Sequence, residues 1–439
     1  MKELFLQHFE KEKPAGSAWL QGLRRKALDR FLELGTPTTR LEDWRYTSVE
    51  PLNKIPFELT EQNGKGGVFE NDFAQRSDFC REDDIRLVFV GDLFVPSLSS
   101  LKNLPKGVVV GNLATILKEN PALLEKFLGK TAAYQDRSFV ALNTAFAKDG
   151  AVLYFPKGVV VKEPIYLCHY SWTKGKPTVS FPRNLIVLEE SAQATVVEIS
   201  MGGGDETYLT NMVTEIVCGP NAVIDHYKLQ HEGGNAFHLA STDFYQERES
   251  RVSSFSISLG AELSRGEVRT VLDAEGASCS LNGFYMVTGR QHVDNQTTID
   301  HAKPHGTSDE LYKGILSGQS RGVFNGKIIV RPGAEKTNSR QKNQNLLLSE
   351  EALINTKPLL EIFNNDVKCN HGATIGRLDE NQVYYLRTRG IAETDARNLL
   401  TYAFASDLVK QIKIPNLQSA MEKWIFRRLM AGKLEDTRI

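Results

Sequence analysis

The sequence predicts a mainly β protein, a long parallel β-helix core set between an N-terminal helical and small αβ lobe and a C-terminal helical domain. Three observations lead there. From about residue 146 to 378 the chain becomes short runs rich in Val, Ile, Thr and Phe, separated by Gly, Asn, Asp or Pro, which is the texture of an all-β body. NLIVLE, ATVVEIS, TYLTNMVTEIV, AVIDHYKLQ and GVFNGKIIV are examples. No strict repeat is visible in them, which argues against a propeller or a leucine-rich solenoid. A sandwich, a barrel and an irregular β-helix remain. The length of this texture without a second core signature favours the β-helix, as do polar in-line residues such as Asn211, Asn282 and Asn325, which can ladder along stacked coils. On either side of the body, the periodicity is helical.

Residues 1–145 form the first unit. Trp19, Leu20, Leu23, Ala27, Phe31 and Leu34 recur every three to four residues, with Ser17 as N-cap and Gly35-Thr36-Pro37 as the stop. In TPTTRLEDWRYTSVEPL, Trp44 and Tyr46 stand among charges and are expected to clamp this loop onto the next domain. Residues 61–84 are polar and turn-rich, IRLVFVGDLFV reads as two strands around Gly91-Asp92, and ATILKENPALLEKFLG is helical with a break near Pro121. The β body takes 146–378. In the last unit, 379–439, Asp379 and Gln382 give a box-like start to a helix that ends at Gly390. A second helix is expected to carry Leu399, Leu400, Ala403, Phe404, Leu408 and Ile412 on one face. A third, after Pro415, places Trp424 among Leu417, Met421, Ile425 and Leu429 and is expected to fold onto its own domain.

Bulk composition excludes several classes. The 439 residues carry 53 basic and 54 acidic side chains, a formal net charge of -1, so bulk charge advertises no nucleic-acid or membrane-surface partner. The five cysteines, at 80, 168, 218, 279 and 369, make no C-x-x-C and leave one over; a reducing compartment fits better than a disulfide framework. No run of 18 apolar residues and no apolar leader after MKELFLQHFEKEK are present, so the expectation is a soluble cytoplasmic protein.

The candidate chemistry lies at DVKCNHGAT. If this stretch is extended, Val367, Cys369 and His371 share one face, and the thiol and imidazole stand roughly 7 Å apart. The pair can offer two ligands to iron or another thiophilic metal, but a four-ligand site needs donors from elsewhere. The competing reading is a small packed Cys beside a hydrogen-bonded His. Other motifs fail on their own chemistry. Gly322-Val323-Phe324-Asn325-Gly326-Lys327 has three residues between its glycines where a phosphate loop needs four, and Ile328 where Ser or Thr is required, so no nucleotide is expected on this chain. His301 and His305 have the spacing of a zinc protease helix, but Ala302 replaces the needed Glu and Pro304 breaks the helix. No G-x-S-x-G and no strand-borne G-x-G-x-x-G occur. Glu189, Glu190, Asp294 and Asp300 could furnish the paired carboxylates of a β-helix carbohydrate enzyme, the rival enzymatic reading.

Five ordered blocks carry a resemblance across nearly the whole chain: TRLEDWRYT (39–47), FVALNTAFAKDGAVLYFPKGVVVKEPIYL (139–167), PRNLIVLEESA (182–192), HAKPHGTSDELYKGIL (301–316) and 343–391 with DVKCNHGAT and YYLRTRG. Together they closely resemble the SufB and SufD family of iron-sulfur cluster assembly proteins. The SufB branch carries a cysteine just before R-x-R-G, where this chain has Leu386; it therefore resembles the SufD branch. The resemblance implies a right-handed parallel β-helix with helical ends and a non-catalytic scaffold subunit of the SUF system. It also implies pairing with SufB through the β-helix end and binding of the ATPase SufC on the C-terminal helices, and it allows a homodimer. By the same resemblance His371 matches the SufD histidine that faces the SufB cysteine, and a transient iron-sulfur cluster would be shared across that interface. Cys369 would stand beside it as a second donor or simply pack. A structural heteromer subunit with no metal site is the third alternative.

Overall fold

The structure is a computed structural model and describes residues 1–11, 16–60, 73, 79–173, 175–204 and 206–430. Most of the polar stretch expected over 61–84, and the end of the C-terminal unit beyond 430, lie outside the described residues.

Consecutive strands of the central body alternate between two sheets, and each pairs in parallel with the strand two places on, so the chain winds as a parallel β-solenoid of about eight turns. His292–His301, for example, lies between Leu263–Leu272 and Arg321–Val330 in unbroken register. Alternation then sends every second side chain into the lumen. Ile186, Ile216, Ile224, Leu281, Ile299 and Ile328 are among the buried residues that fill it.

A repeat does exist, but it is a repeat of backbone. Two residues before successive strands of one sheet the chain enters the left-handed region at Ser191, Asn221, Glu249, Gly276, His305 and Lys336. Each of these N–H groups donates to a carbonyl of the following coil, Ser191 to Pro220 at 2.8 Å and Lys336 to Asp366 at 2.7 Å. The ladder thus continues around the corner. Because the corner is held by backbone, six residues at this position are of six types. The distance between equivalent positions also varies, from 26 residues (Phe237 to Leu263) to 33 (Val152 to Leu185). This is why no strict period appears in the sequence. His305, half of the discarded zinc motif, is one of these corners.

The expected asparagine ladder is not formed. Asn211 stacks on Leu239 and donates to the Phe139 carbonyl, and Asn282 lies between Phe255 and Leu311. Only Asn325 makes a polar step, donating to Gln296 Oε1 at 2.8 Å. In-line asparagines here tie other elements to the solenoid.

Both outer faces are covered by the chain's ends. Helices Lys2–Lys11, Ala18–Leu34 and Ser138–Phe146 bring Phe5, Leu28, Phe31 and Phe146 against Leu209, Phe237 and Leu263 of one sheet. Ser17 occupies the N-cap and Gly35, at φ 68°, returns its N–H to Phe31. Arg137 locks this contact by donating to Asp243 (2.6 Å), Ser241 (2.8 Å) and Glu267 (3.1 Å). Trp44 clamps its loop as expected, packing on Phe139 and under the Arg265 guanidinium at 3.8 Å, whereas Tyr46 is exposed and does not share the clamp. The first unit is not a separate sheet: Ile85–Val90 turns back at Gly91 as a hairpin and also pairs in parallel with Ile165–Ser171 of the solenoid.

On the other sheet, helices Glu393–Val409 and Pro415–Met430 bury Ala405, Leu408, Met421, Ile425 and Leu429 against Tyr227, Phe255, Phe284 and Met286. Lys313 fixes the first of them, donating to Asp407 at 2.6 Å. The buried face differs from the expected stripe: Ala396, Thr401, Ala405, Leu408 and Val409 are inside, while Leu399 is 48% exposed and Ala403 is exposed. The contact uses small residues because the helix lies close to the sheet, which leaves Leu399 pointing away. Trp424 rests edge-on against His231, so the tail folds onto its own domain.

Candidate functional site

The solenoid ends without a cap. Leu353–Ile362 is the last strand of one sheet and Lys368–Gly376 the last of the other; each pairs on one side only. Pro358, which has no ladder N–H to give, sits in the first of these, where a terminal strand tolerates it. The second leaves a row of backbone donors and acceptors open, the kind of edge that pairs with another chain unless covered. Around it lie exposed apolar side chains: Leu353, Ile362, Phe363 and Ile375, with Tyr384 and Tyr385 on the adjoining helix Glu380–Thr388. Grouped apolar exposure of this kind marks an interaction surface.

Cys369 and His371 lie on this terminal strand. They register against Ser339 and Gln341, which are fully buried and face the lumen, so both project to the lumen side of the open coil. His371 is exposed, and Cys369 is half-buried against the solenoid core. Burial pushes the Cys369 thiol up, and a backbone hydrogen bond from Ser339 pulls the other way. The two donors stand on one strand face, as the spacing predicts. Among the described residues no group of three or more His, Cys, Asp or Glu side chains could hold a metal ion.

Behind each donor runs a polar lumen row that the sequence did not single out. Under Cys369, Ser339 Oγ meets Ser308 Oγ at 2.6 Å, and Ser308 meets His301 Nε2 at 2.9 Å. Under His371, Gln341 Nε2 donates to Glu310 Oε2 at 2.6 Å. Glu310 is 1% exposed, and burial raises its carboxyl to about 7. Oε1 of Gln341 has no hydrogen-bond partner among the described residues. In TSDELYKGIL and NSRQKNQNLL these residues look like solvated polar positions; only the register shows that they face inward beneath His371.

The carboxylates of the glycan-cleaving reading are engaged elsewhere and do not face one another as a pair. Asp294 accepts from Arg265 and Thr47, Asp300 from Arg331, Glu190 pairs with Lys157 at 2.6 Å, and Glu189 accepts from Tyr154. Asp294 and Asp300 are six strand residues apart, roughly 20 Å, whereas glycosidase carboxyls need roughly 5 to 10 Å. Gly322–Lys327 lies within strand Arg321–Val330 and forms no loop. Among the described residues no helix is long and apolar enough to cross a membrane.

Two family models match the chain: the N-terminal region of SufBD proteins over residues 1–167, and the core domain of SufBD proteins of SUF-system FeS cluster assembly over residues 170–404. An iron-sulfur cluster assembly SufBD family protein of Synechocystis is 34% identical over 412 residues, covering 92% of this chain and 89% of its own length. The iron-sulfur cluster assembly protein SufD of Escherichia coli is 31% identical over 407 residues, 92% of each chain. SufD of Bacillus subtilis is 27% identical over 439 residues, 97% of each.

Proposed function

The chain belongs to the SufBD family of iron-sulfur cluster assembly proteins, and we propose that it is a scaffold subunit whose open coil pairs with SufB and holds part of a nascent cluster. One observation carries the reading: the two candidate donors lie on the lumen face of the one coil that is left uncovered. A second solenoid docked end to end would satisfy the free edge, bury Phe363 and Ile375, and bring further ligands to Cys369 and His371. The cluster is cargo in this scheme. Its iron would take the neutral imidazole of His371, a borderline ligand, and a thiolate at Cys369, with the remaining positions filled from SufB.

SufC is assigned to the C-terminal helices. Their inner faces are spent on the solenoid, so the dock is their outer side, where Leu399 and Phe426 are exposed. This division of labour accounts for a chain with no phosphate loop: hydrolysis would belong to SufC, and this subunit would pass its movement to the SufB interface. The test is anaerobic reconstitution of the complex with SufB and SufC, wild type against His371→Ala. The variant is expected to assemble with both partners and to give weak or absent iron-sulfur absorption. Full cluster yield, or failure to assemble, would overturn the assignment.

A further inference from the structure

A second site lies away from the lumen, where the clamped loop meets the entry corners of the last strands. A cavity of about 450 Å³ opens there, within the size range of small-ligand pockets. Its lining contains Arg45, Arg321, His292 and Ser48, and no carboxylate. Neither arginine has an acidic partner within ion-pair distance among the described residues, although Arg45 rests near the Tyr46 ring at 5.7 Å. The nearby acids are already engaged: Glu42 by Lys357, and Asp294 by Arg265 and Thr47. Thr47 Oγ1 donates to Asp294 at 2.6 Å, so the 3.1 Å contact between Thr47 and His292 is one in which Nε2–H of His292 donates. That fixes the ring and leaves Nδ1 as an acceptor, so the anion contacts must come from the arginines and the Ser48 hydroxyl. Leu353 and the Tyr46 ring give the cavity an apolar wall.

We propose that this cavity binds a phosphate-bearing small molecule. Two guanidinium forks supply planar, permanently charged donors that match tetrahedral oxyanions bidentately, and the Ser48 hydroxyl stands beside them. A pocket with this cation content and no lining carboxylate repels cations and gains from a dianion. The apolar wall accommodates the carbon portion of an ester.

Inorganic pyrophosphate is the probe, titrated into the full chain at low ionic strength and followed by calorimetry and phosphorus NMR. Saturable binding of one equivalent is expected. Arg45→Gln and Arg321→Gln should each weaken it about tenfold, the loss of one charge-assisted contact. The double variant should show no binding, while Arg340→Gln, at an exposed arginine already held by Asp309 at 2.8 Å, should bind like wild type. Both target side chains are exposed, so melting temperatures should not move. No saturable binding by wild type, or equal weakening by Arg340→Gln, would refute the site. Citrate binding as tightly as pyrophosphate would refute the phosphate assignment and give the pocket to carboxylates, those of a partner chain included.

Discussion

Replacing Glu310 by Gln should stabilise the protein by an amount that grows as pH rises from about 4.5 to 7 and is full above that. The carboxyl is 1% exposed; burial raises it from 4.5 to about 7, against the lowering by its hydrogen bonds to Thr297 and Gln341. An acid raised in the folded state costs nothing below its unfolded value, because both states hold the proton there. Between about 4.5 and 7 the unfolded chain ionises while the folded one stays protonated, so stability falls with rising pH. Above 7 the full penalty applies, on the order of 3 kcal/mol at 1.36 kcal/mol per unit. Glutamine never ionises and keeps the shape, and its amide can donate where the carboxylate could not. The gain of Glu310→Gln over wild type should therefore be larger at pH 8 than at pH 5 by roughly 2.5 kcal/mol. Urea unfolding of both proteins at the two pH values measures it. A gain that does not change with pH, or a glutamine variant less stable at pH 8, would show that Glu310 is ionised and paired in the folded state.

Five further outcomes are expected. Phe363→Asp with Ile375→Asp should abolish co-purification with SufB without shifting the melting temperature, because both side chains are more than half exposed; retained capture would move the interface away from the open coil. Leu399→Glu should weaken SufC capture in the same way, whereas deleting 391–439 should give insoluble protein by stripping Leu408, Met421 and Ile425 from the outer sheet. Soluble, monomeric deletion protein would contradict that packing. Gly276→Ala, at φ 72° with Glu249 Cγ 3.2 Å from the added Cβ, should destabilise by about 1 kcal/mol in thermal or urea melts. The purified chain without SufC should hydrolyse no ATP, and turnover by it would end the proposed division of labour.

The β-solenoid was legible where its strands are apolar, as in ATVVEIS or GVFNGKIIV, and obscure where they carry charge. LSRGEVRTVL is a solenoid strand with three charges on one face, and it escapes a hydrophobicity reading because those charges are used internally. Arg265 and Glu267 are joined to each other, to Asp294 and to Arg137 just before the covering helix Ser138–Phe146, so the pattern of a solvated strand conceals a buried latch. The same limit hid Glu310 and Gln341, whose position beneath His371 follows from register across coils 31 residues apart and then 30. Local sequence contains no trace of that alignment. The helix Glu393–Val409 was placed well and its expected face is half right: Leu408 and Ile412 are buried and Phe404 packs against the same cluster, while Leu399 and Ala403 face away.

A solenoid grown by stacking coils must stop somewhere, and each stopping device has a chemical signature. This chain covers both outer faces with helices and leads its first coils into the N-terminal strands, yet leaves the final coil bare. An uncapped edge with grouped apolar exposure is an aggregation hazard that proteins blunt with charge or a covering element. Here the terminal lumen face carries Cys369, His371, Ala373 and Ile375 in alternate positions, a row with one ionisable imidazole and no fixed charge. That pattern suits neither permanent exposure to water nor a self-sufficient metal site. It suits the proposed reading, in which a second protein would cover the edge and bring the remaining ligands.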